Sequence, residues 1–275
     1  MDESKNTLRD SIVMGWPANI HIIGKDILRF HAIYWPAMLF SAGITPPKKV
    51  FGHGFLTREG QKMGKSLGNI LDPEILLSKY GNEAVRWYLL KDISLGNDGD
   101  FQNRRFVDII NNDLANTIGN LLNRSTSMSR KWFDNKTPTL EEKNDPKIND
   151  FANKTIDNYI SYFDKYKIDL ASNEILNFAI YINLYLNDNQ PWSLIKEEKN
   201  IENVKLIIYN VLESCRVIGL LLQPILPNIS SKILLQLGQL NVDNKPWKDK
   251  LKWGLLPLDY ELPVPKPIIN KLDYD

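Results

Sequence analysis

The sequence predicts an α/β portion followed by an all-α portion. Three observations carry that reading. Two short apolar runs, residues 19–24 and 49–56, flank an apolar-periodic stretch at 25–43, which is the order strand, helix, strand. From residue 101 onward apolar side chains recur at helical spacing almost throughout. The breaks in that second part carry Pro or Asn.

The elements follow in order. Residues 19–24 (NIHIIG) are apolar and close on glycine, as a buried strand does. In 25–43, Ile27, Phe30, His31, Tyr34 and Trp35 fall at helical spacing, and Pro36 is expected to kink the helix or to mark its first turn after a break. Residues 49–56 (KVFGHGFL) read as a second strand, so the pair should be the parallel strands of a βαβ unit. Residues 57–69 are polar, carry Gly60, Gly64 and Gly68, and read as a mobile loop. Short helices are expected at 73–80 and 83–90. The turn-rich stretch 92–100 (DISLGNDGD) separates a first domain, 1–92, from a second, 93–275. Candidate helices there are 102–133, 147–168, 170–188, 200–223 and 228–237, the pattern of an antiparallel bundle. Beyond 241 the Trp- and Pro-containing chain should be an extended tail packed over that bundle.

Composition narrows the function classes. The chain of 275 residues is 43% hydrophobic, enough for a sizeable core and too much for a disordered chain. Lys plus Arg is 34 against 33 Asp plus Glu, which excludes a strongly basic coat while leaving room for a local basic patch. The single cysteine, Cys215, sits in an apolar run, reads as buried filler and fits a reducing compartment. Nothing approaches the ~18 uninterrupted apolar residues of a membrane span, and the first ten residues lack a signal or transit pattern. A cytoplasmic protein is expected, with no membrane partner. His21, His31 and His53 do not fall at metal-ligand spacing, so no metal site is expected within the chain.

The loop Gln61-Lys62-Met63-Gly64-Lys65-Ser66 carries the first chemical signal. Glycines let backbone N–H groups approach an anion, and lysines supply compact positive charge. Taken alone, such a loop is equally an ordinary lysine-rich surface. Its context is G-K-D-I-x-x-F-H-x-x-x-W-P-A from Gly24 to Ala37, then H-G-F-L-T-x-x-G-x-K-M-x-K-S-x-G-N from His53 to Asn69. In that order and spacing the chain resembles the methionyl-tRNA synthetases, class I aminoacyl-tRNA synthetases. The resemblance covers about residues 15–240.

The resemblance implies an incomplete Rossmann-like nucleotide-binding portion followed by an α-helical anticodon-binding domain. It implies ATP with Mg2+, methionine and tRNA(Met) as what the whole enzyme binds, and methionyl-adenylate formation followed by transfer to tRNA as its reaction. The lysine loop matches the family's K-M-S-K-S signature, with Gly64 in place of the middle serine. Lys65 is implied as the principal pyrophosphate and transition-state contact, Lys62 as its assistant and Ser66 as a secondary contact. Gly24, Asp26, His53 and Leu56 match or adjoin the ATP side, although Asp26 also suits a helix cap and His53 a structural place. Ile27, His31 and Trp35 match or adjoin the methionine pocket, and they equally suit a core. Asn120 and Arg124 match the readers of the CAU anticodon, one helical turn apart. Trp192 matches a base-stacking tryptophan, and equally suits a packing plug.

No H-x-G-H sequence is present, nor the family's metal-bearing insert. The chain is therefore expected to be the C-terminal half of the enzyme, catalytically incomplete alone, with an exposed apolar face where the other half packs. Two further readings stand beside it. The chain could be a non-catalytic tRNA-anticodon-binding module, or a half-enzyme that needs a separate N-terminal partner.

Overall fold

The computed structural model describes residues 15–141, 145–239 and 246–274. The chain divides into two compact units. One runs to residue 70 and includes 93–101; the other holds 71–92 and everything from 102 onward.

In the first unit, β1 (His21–Gly24) lies parallel to β2 (Val50–His53), with His21 opposite Val50 and Gly24 opposite His53. This is the expected parallel pair. The crossover is not one regular helix. A 3-10 turn at Lys25–Ile27 leads through a wide π-helical turn at Phe30–Tyr34 into α1 (Trp35–Ser41). Pro36 explains the change. Its ring crowds the carbonyl four residues back and it donates no hydrogen bond, so the turn ahead of it widens and the Trp35 N–H reaches the Phe30 carbonyl.

β2 stops at His53, short of the expected residue 56. The chain then forms a hairpin, β3 (Leu56–Arg58) and β4 (Gln61–Lys62), turning at Glu59 and Gly60, both with positive φ (50° and 76°). β5 (Gly99–Phe101) joins β3 in parallel, Thr57 opposite Asp100. The expected mobile loop 57–69 is thus partly sheet, and the expected linker 92–100 ends in a strand. Gly54 lets the backbones meet, since a Cβ there would lie 2.0 Å from the Asn97 carbonyl oxygen.

The second unit is helical: α2 (Pro73–Tyr80), α3 (Asn82–Lys91), α4 (Asn103–Ile109), a π-helical stretch Ile110–Gly119 and α5 (Asn120–Trp132). Then come α6 (Pro146–Asp164), α7 (Ile168–Asn189), α8 (Pro191–Leu194), α9 (Ile201–Leu222), α10 (Pro227–Gln236) and the short α11 (Trp247–Lys250). Proline begins several of these helices, where its missing N–H costs nothing. Asp72 and Asp145 cap two of them through the N–H groups of Glu74 and Lys147, at 2.9 and 3.0 Å. α9 is the core: Ile207 to Leu222 is buried on every side, and α5, α6, α7 and α10 pack on it. α3 closes helix ends, with the Glu83 carboxylate accepting from the Ile229 N–H (2.9 Å) and Arg86 donating to the Ile225 carbonyl (2.8 Å).

The C-terminal tail is held by name. Buried Glu213 accepts from the N–H groups of Gly254, Leu255 and Leu256, at 2.7, 3.1 and 3.0 Å. Its ion partner Arg216, 2.7 Å away, donates to the carbonyls of Lys250 and Lys252. Farther along, Gln236 pairs with both backbone groups of Lys266, and Asn111 with both of Leu272.

Candidate functional site

The first unit presents its polar site at the carboxyl ends of the two parallel strands, the place where open α/β sheets bind ligands. Gly24 and His53 are register partners there. A Cβ on Gly24 would come within 2.5 Å of an Asp26 carboxylate oxygen, so glycine allows that carboxylate to fold back over the strand end. The His53 Nδ1 lies 3.0 Å from the Gly54 carbonyl oxygen. Gly24, Asp26 and His53 therefore come together. Leu56 opens β3, half-buried.

Lys62 ends β4, and Lys65 and Ser66 begin a 3-10 turn (Lys65–Leu67). Both lysines are exposed, and neither forms an ion pair with a described residue. The loop base is held by Asn69, whose side-chain oxygen accepts from the Gly64 N–H (2.9 Å) and whose side-chain nitrogen donates to the Lys62 carbonyl (3.1 Å). The hairpin beneath is anchored by Asp100, which accepts from the Thr57 hydroxyl (2.7 Å) and the Gly60 N–H (2.8 Å). Asp98 accepts from Lys25 Nζ (2.6 Å) and the Phe55 N–H (2.7 Å), and the lysine hydrogen bond lowers its carboxyl below the usual range. Asn69 belongs to the loop motif, but nothing in the sequence marks Asn69, Asp98 or Asp100 as supports.

A cavity of about 440 Å3 opens beside the π-helical turn, lined by His21, Phe30, His31, Tyr34, Trp35 and Met38. Two of the expected methionine-pocket residues line it. Ile27 does not, although its carbonyl oxygen lies 3.0 Å from His31 Nδ1. The walls are aromatic and apolar with one thioether, a lining that suits an apolar, polarisable side chain.

In the second unit the three expected anticodon residues sit on neighbouring elements. α7 ends at Asn189, Gln190 takes a left-handed conformation (φ 43°), and Pro191 starts α8, which presents Trp192. The Arg124 guanidinium lies 5.7 Å from the Trp192 ring centroid and donates to the Asn187 side-chain oxygen at 3.1 Å. Asn187 was not expected; only the fold brings it beside Arg124. Asn120, one turn before Arg124, is exposed. The group has a flat ring, a guanidinium plane and amide edges, which is what stacking on and reading an unpaired base requires.

Among the described residues no group of three or more His, Cys, Asp or Glu is placed to hold a metal ion, and no helix is long and apolar enough to cross a membrane.

Comparisons with known proteins give two family matches in chain order. Residues 15–126 match a family described as tRNA synthetases class I (M), and residues 136–275 match the anticodon binding domain of methionyl tRNA ligase. The second match runs past residue 240, where the motif resemblance stops, and takes in the tail. The chain is 44% identical to a methionine–tRNA ligase of Nostoc sp. over 98% of its own length and 52% of the relative's. It is 41% identical to one from Thermotoga maritima over 94% of this chain and 41% of that one. Among solved structures it resembles a Mycobacterium tuberculosis methionyl-tRNA synthetase in complex with methionyl-adenylate, with TM-score 0.88 and 37% identity over 98% of this chain and 52% of that one. The chain spans about half the length of these relatives, or less.

Proposed function

The chain belongs to the methionyl-tRNA synthetase family, and from that premise we propose that it supplies the C-terminal part of a cytoplasmic methionine–tRNA ligase, with methionine, ATP and tRNA(Met) as substrates. The observation that carries this is the pair of family matches, class I catalytic and then anticodon-binding, which together span residues 15–126 and 136–275. In this reading the domains are a piece of the nucleotide-binding fold and a helical anticodon domain.

The roles are those that the family resemblance implies, and the geometry is compatible with them. Methionine's carboxylate attacks the α-phosphate of ATP, the bond to the β-phosphate breaks, and pyrophosphate leaves with the developing charge. By the resemblance Lys65 and Lys62 meet that charge, Lys65 foremost; both are exposed, on a short hairpin and turn whose base is pinned by Asn69 and Asp100, and Lys62 also lies over the Phe55 ring. Ser66 adds a hydroxyl to the same anion. Asp26 accepts from ribose hydroxyls beside Gly24 and His53, and the backbone at Leu56 meets the adenine edge. His31 and Trp35 wall the thioether, with Ile27 holding His31 from behind through its carbonyl. Mg2+ would come bound to the ATP phosphates and would offset their charge; among the described residues no group of three or more His, Cys, Asp or Glu is placed to hold it. Asn120 and Arg124 read anticodon base edges, and Trp192 stacks on a base.

The test joins this chain to the N-terminal half of the Nostoc relative and follows methionine-dependent ATP–pyrophosphate exchange. The hybrid should be active, and Lys65→Ala should lower its rate by about 10²–10³, the cost of removing one donor aimed at developing negative charge. The chain by itself should leave exchange at background. A hybrid indifferent to Lys65→Ala would refute the assignment, and robust exchange by the chain alone would refute the half-site account. A second reading, a tRNA-binding module without catalysis, would be favoured by an inactive hybrid that still binds a CAU anticodon hairpin.

A further inference from the structure

A groove of about 530 Å3 runs beside the second unit's candidate reader, between the helix carrying Asn120 and the C-terminal tail. One wall is the exposed amide row Asn116, Asn120 and Asn123. The other is tail residues 267–271, which present Asn270 and Lys271 outward.

The tail wall is fixed before any ligand arrives. Gln236 grips both backbone groups of Lys266 at 2.9 and 3.0 Å, and Asn111 grips both of Leu272 at 2.8 Å. Lys232 donates to the Ile268 carbonyl at 3.0 Å, and the Ile268 side chain is buried. The approach is close, since a Cβ on Gly119 would lie 3.3 Å from Ile268. A segment clamped on both sides in this way loses little entropy when it binds. The residues left free between the clamps, Asn270 and Lys271, form no hydrogen bond with a described side chain. An amide can pair with a base edge in two directions, and an ammonium suits a phosphate. The volume fits a nucleotide and the site is continuous with Asn120.

We propose that the tail forms the second wall of an RNA subsite: Asn270 reads the edge of an unpaired anticodon-loop nucleotide held against Asn116–Asn123, and Lys271 takes its phosphate. This rests on the anticodon reading above and adds to it residues outside the motifs that identify the family.

The experiment measures fluorescence anisotropy of the full chain with two synthetic RNA hairpins sharing one stem, one with a CAU anticodon loop and one with an unrelated tetraloop. Asn270→Ala should weaken the CAU hairpin about five- to tenfold, one lost hydrogen-bonded pair, and leave the tetraloop hairpin unchanged. Lys271→Ala should lower the slope of log affinity against log salt by about 0.7, one single-strand phosphate contact, and Lys271→Arg should restore it. Both side chains are exposed, so the thermal transition should not move. If the unaltered chain binds the CAU hairpin and both alanine variants bind it equally well with the same salt slope, the tail subsite is wrong and the anticodon reading stands. If the unaltered chain does not prefer the CAU hairpin, the anticodon reading fails and the subsite with it.

Discussion

At position 64 the family's lysine loop carries serine and this chain carries glycine. Gly64 is extended (φ −152°), a region open to any residue, and a Cβ there would meet nothing nearer than Leu67 Cδ1 at 3.7 Å. Glycine is therefore not required by the backbone, and its consequence is freedom in the unclosed loop. Gly64→Ser should be sterically neutral and should raise pyrophosphate exchange of the hybrid enzyme by a few-fold, because less entropy is lost on closure, where a Gly-to-Cβ change is worth about 0.4–1 kcal/mol. A drop in rate would show that the site uses the glycine. Cys215 is the contrasting case. It is fully enclosed, 4.0 Å from the Ser125 hydroxyl, and burial pushes its thiol up to about 12. The reactive thiolate is then almost absent at pH 8, so iodoacetamide should leave the folded chain unlabelled and modify it stoichiometrically in denaturant. Rapid native labelling would contradict the packing around α9.

Among the elements, the energetic centre is the turn of α9 that holds Glu213 and Arg216. Both are buried, and between them they satisfy five backbone groups of residues 250–256. Removing one member leaves the other charge uncompensated and frees the tail. Glu213→Ala should cost about 3–5 kcal/mol in chemical denaturation of the helical unit, the range for a broken buried pair, and should expose residues 250–256 to early hydrogen exchange. A loss below 1 kcal/mol would mean that the pair is solvated. Such a hub was invisible in the sequence, where Glu213 and Arg216 look like any pair three apart and their partners lie some forty residues on. The same distinction governs the rest of the fold. β1, β2, the helix 201–222 and the Pro-started helices at 73–80, 146–164 and 227–236 were legible, because their signals are local: apolar runs and 3.6-residue periodicity. The hairpin 56–62 was not, because β3 and β4 are too short to show alternation and β3 depends on a partner strand at Gly99–Phe101. The π-helical stretches were missed because apolar periodicity tolerates one wide turn. Of the site, the lysine loop was legible from its motif. Asn69, Asp100 and Asn187 were not, since supporting hydrogen bonds leave no spacing rule of their own.

For the molecule as a whole, the decisive property is the apolar surface of its first unit. Phe30 (59% exposed), Ile33 (58%), Met38 (64%) and Phe40 (67%) stand out along one short helical stretch, and Ile22, at 64%, stands out on the neighbouring strand. Soluble proteins rarely leave contiguous apolar surface beyond a few hundred Å2 uncovered, and each Å2 removed from water stabilises by roughly 25 cal/mol. The chain spans about half the length of the Nostoc relative, and the prediction is that the part it lacks covers that surface. Uncovered, it should find itself: sedimentation of the isolated chain should show reversible, concentration-dependent association, accompanied by binding of an apolar fluorescent dye. The hybrid with the Nostoc N-terminal half should lose the dye signal. Lysine at Ile33 and Phe40 together should return the isolated chain to monomer, since both side chains point into solvent and charge there opposes contact without emptying a core. The helical unit offers an internal control, because Glu213→Ala weakens it without touching this surface. An isolated chain that stays monomeric at high concentration and ignores the dye would mean that the first unit rearranges to bury these side chains itself. The wide turn before Pro36 is where such a rearrangement would begin, since its backbone already departs from regular helix.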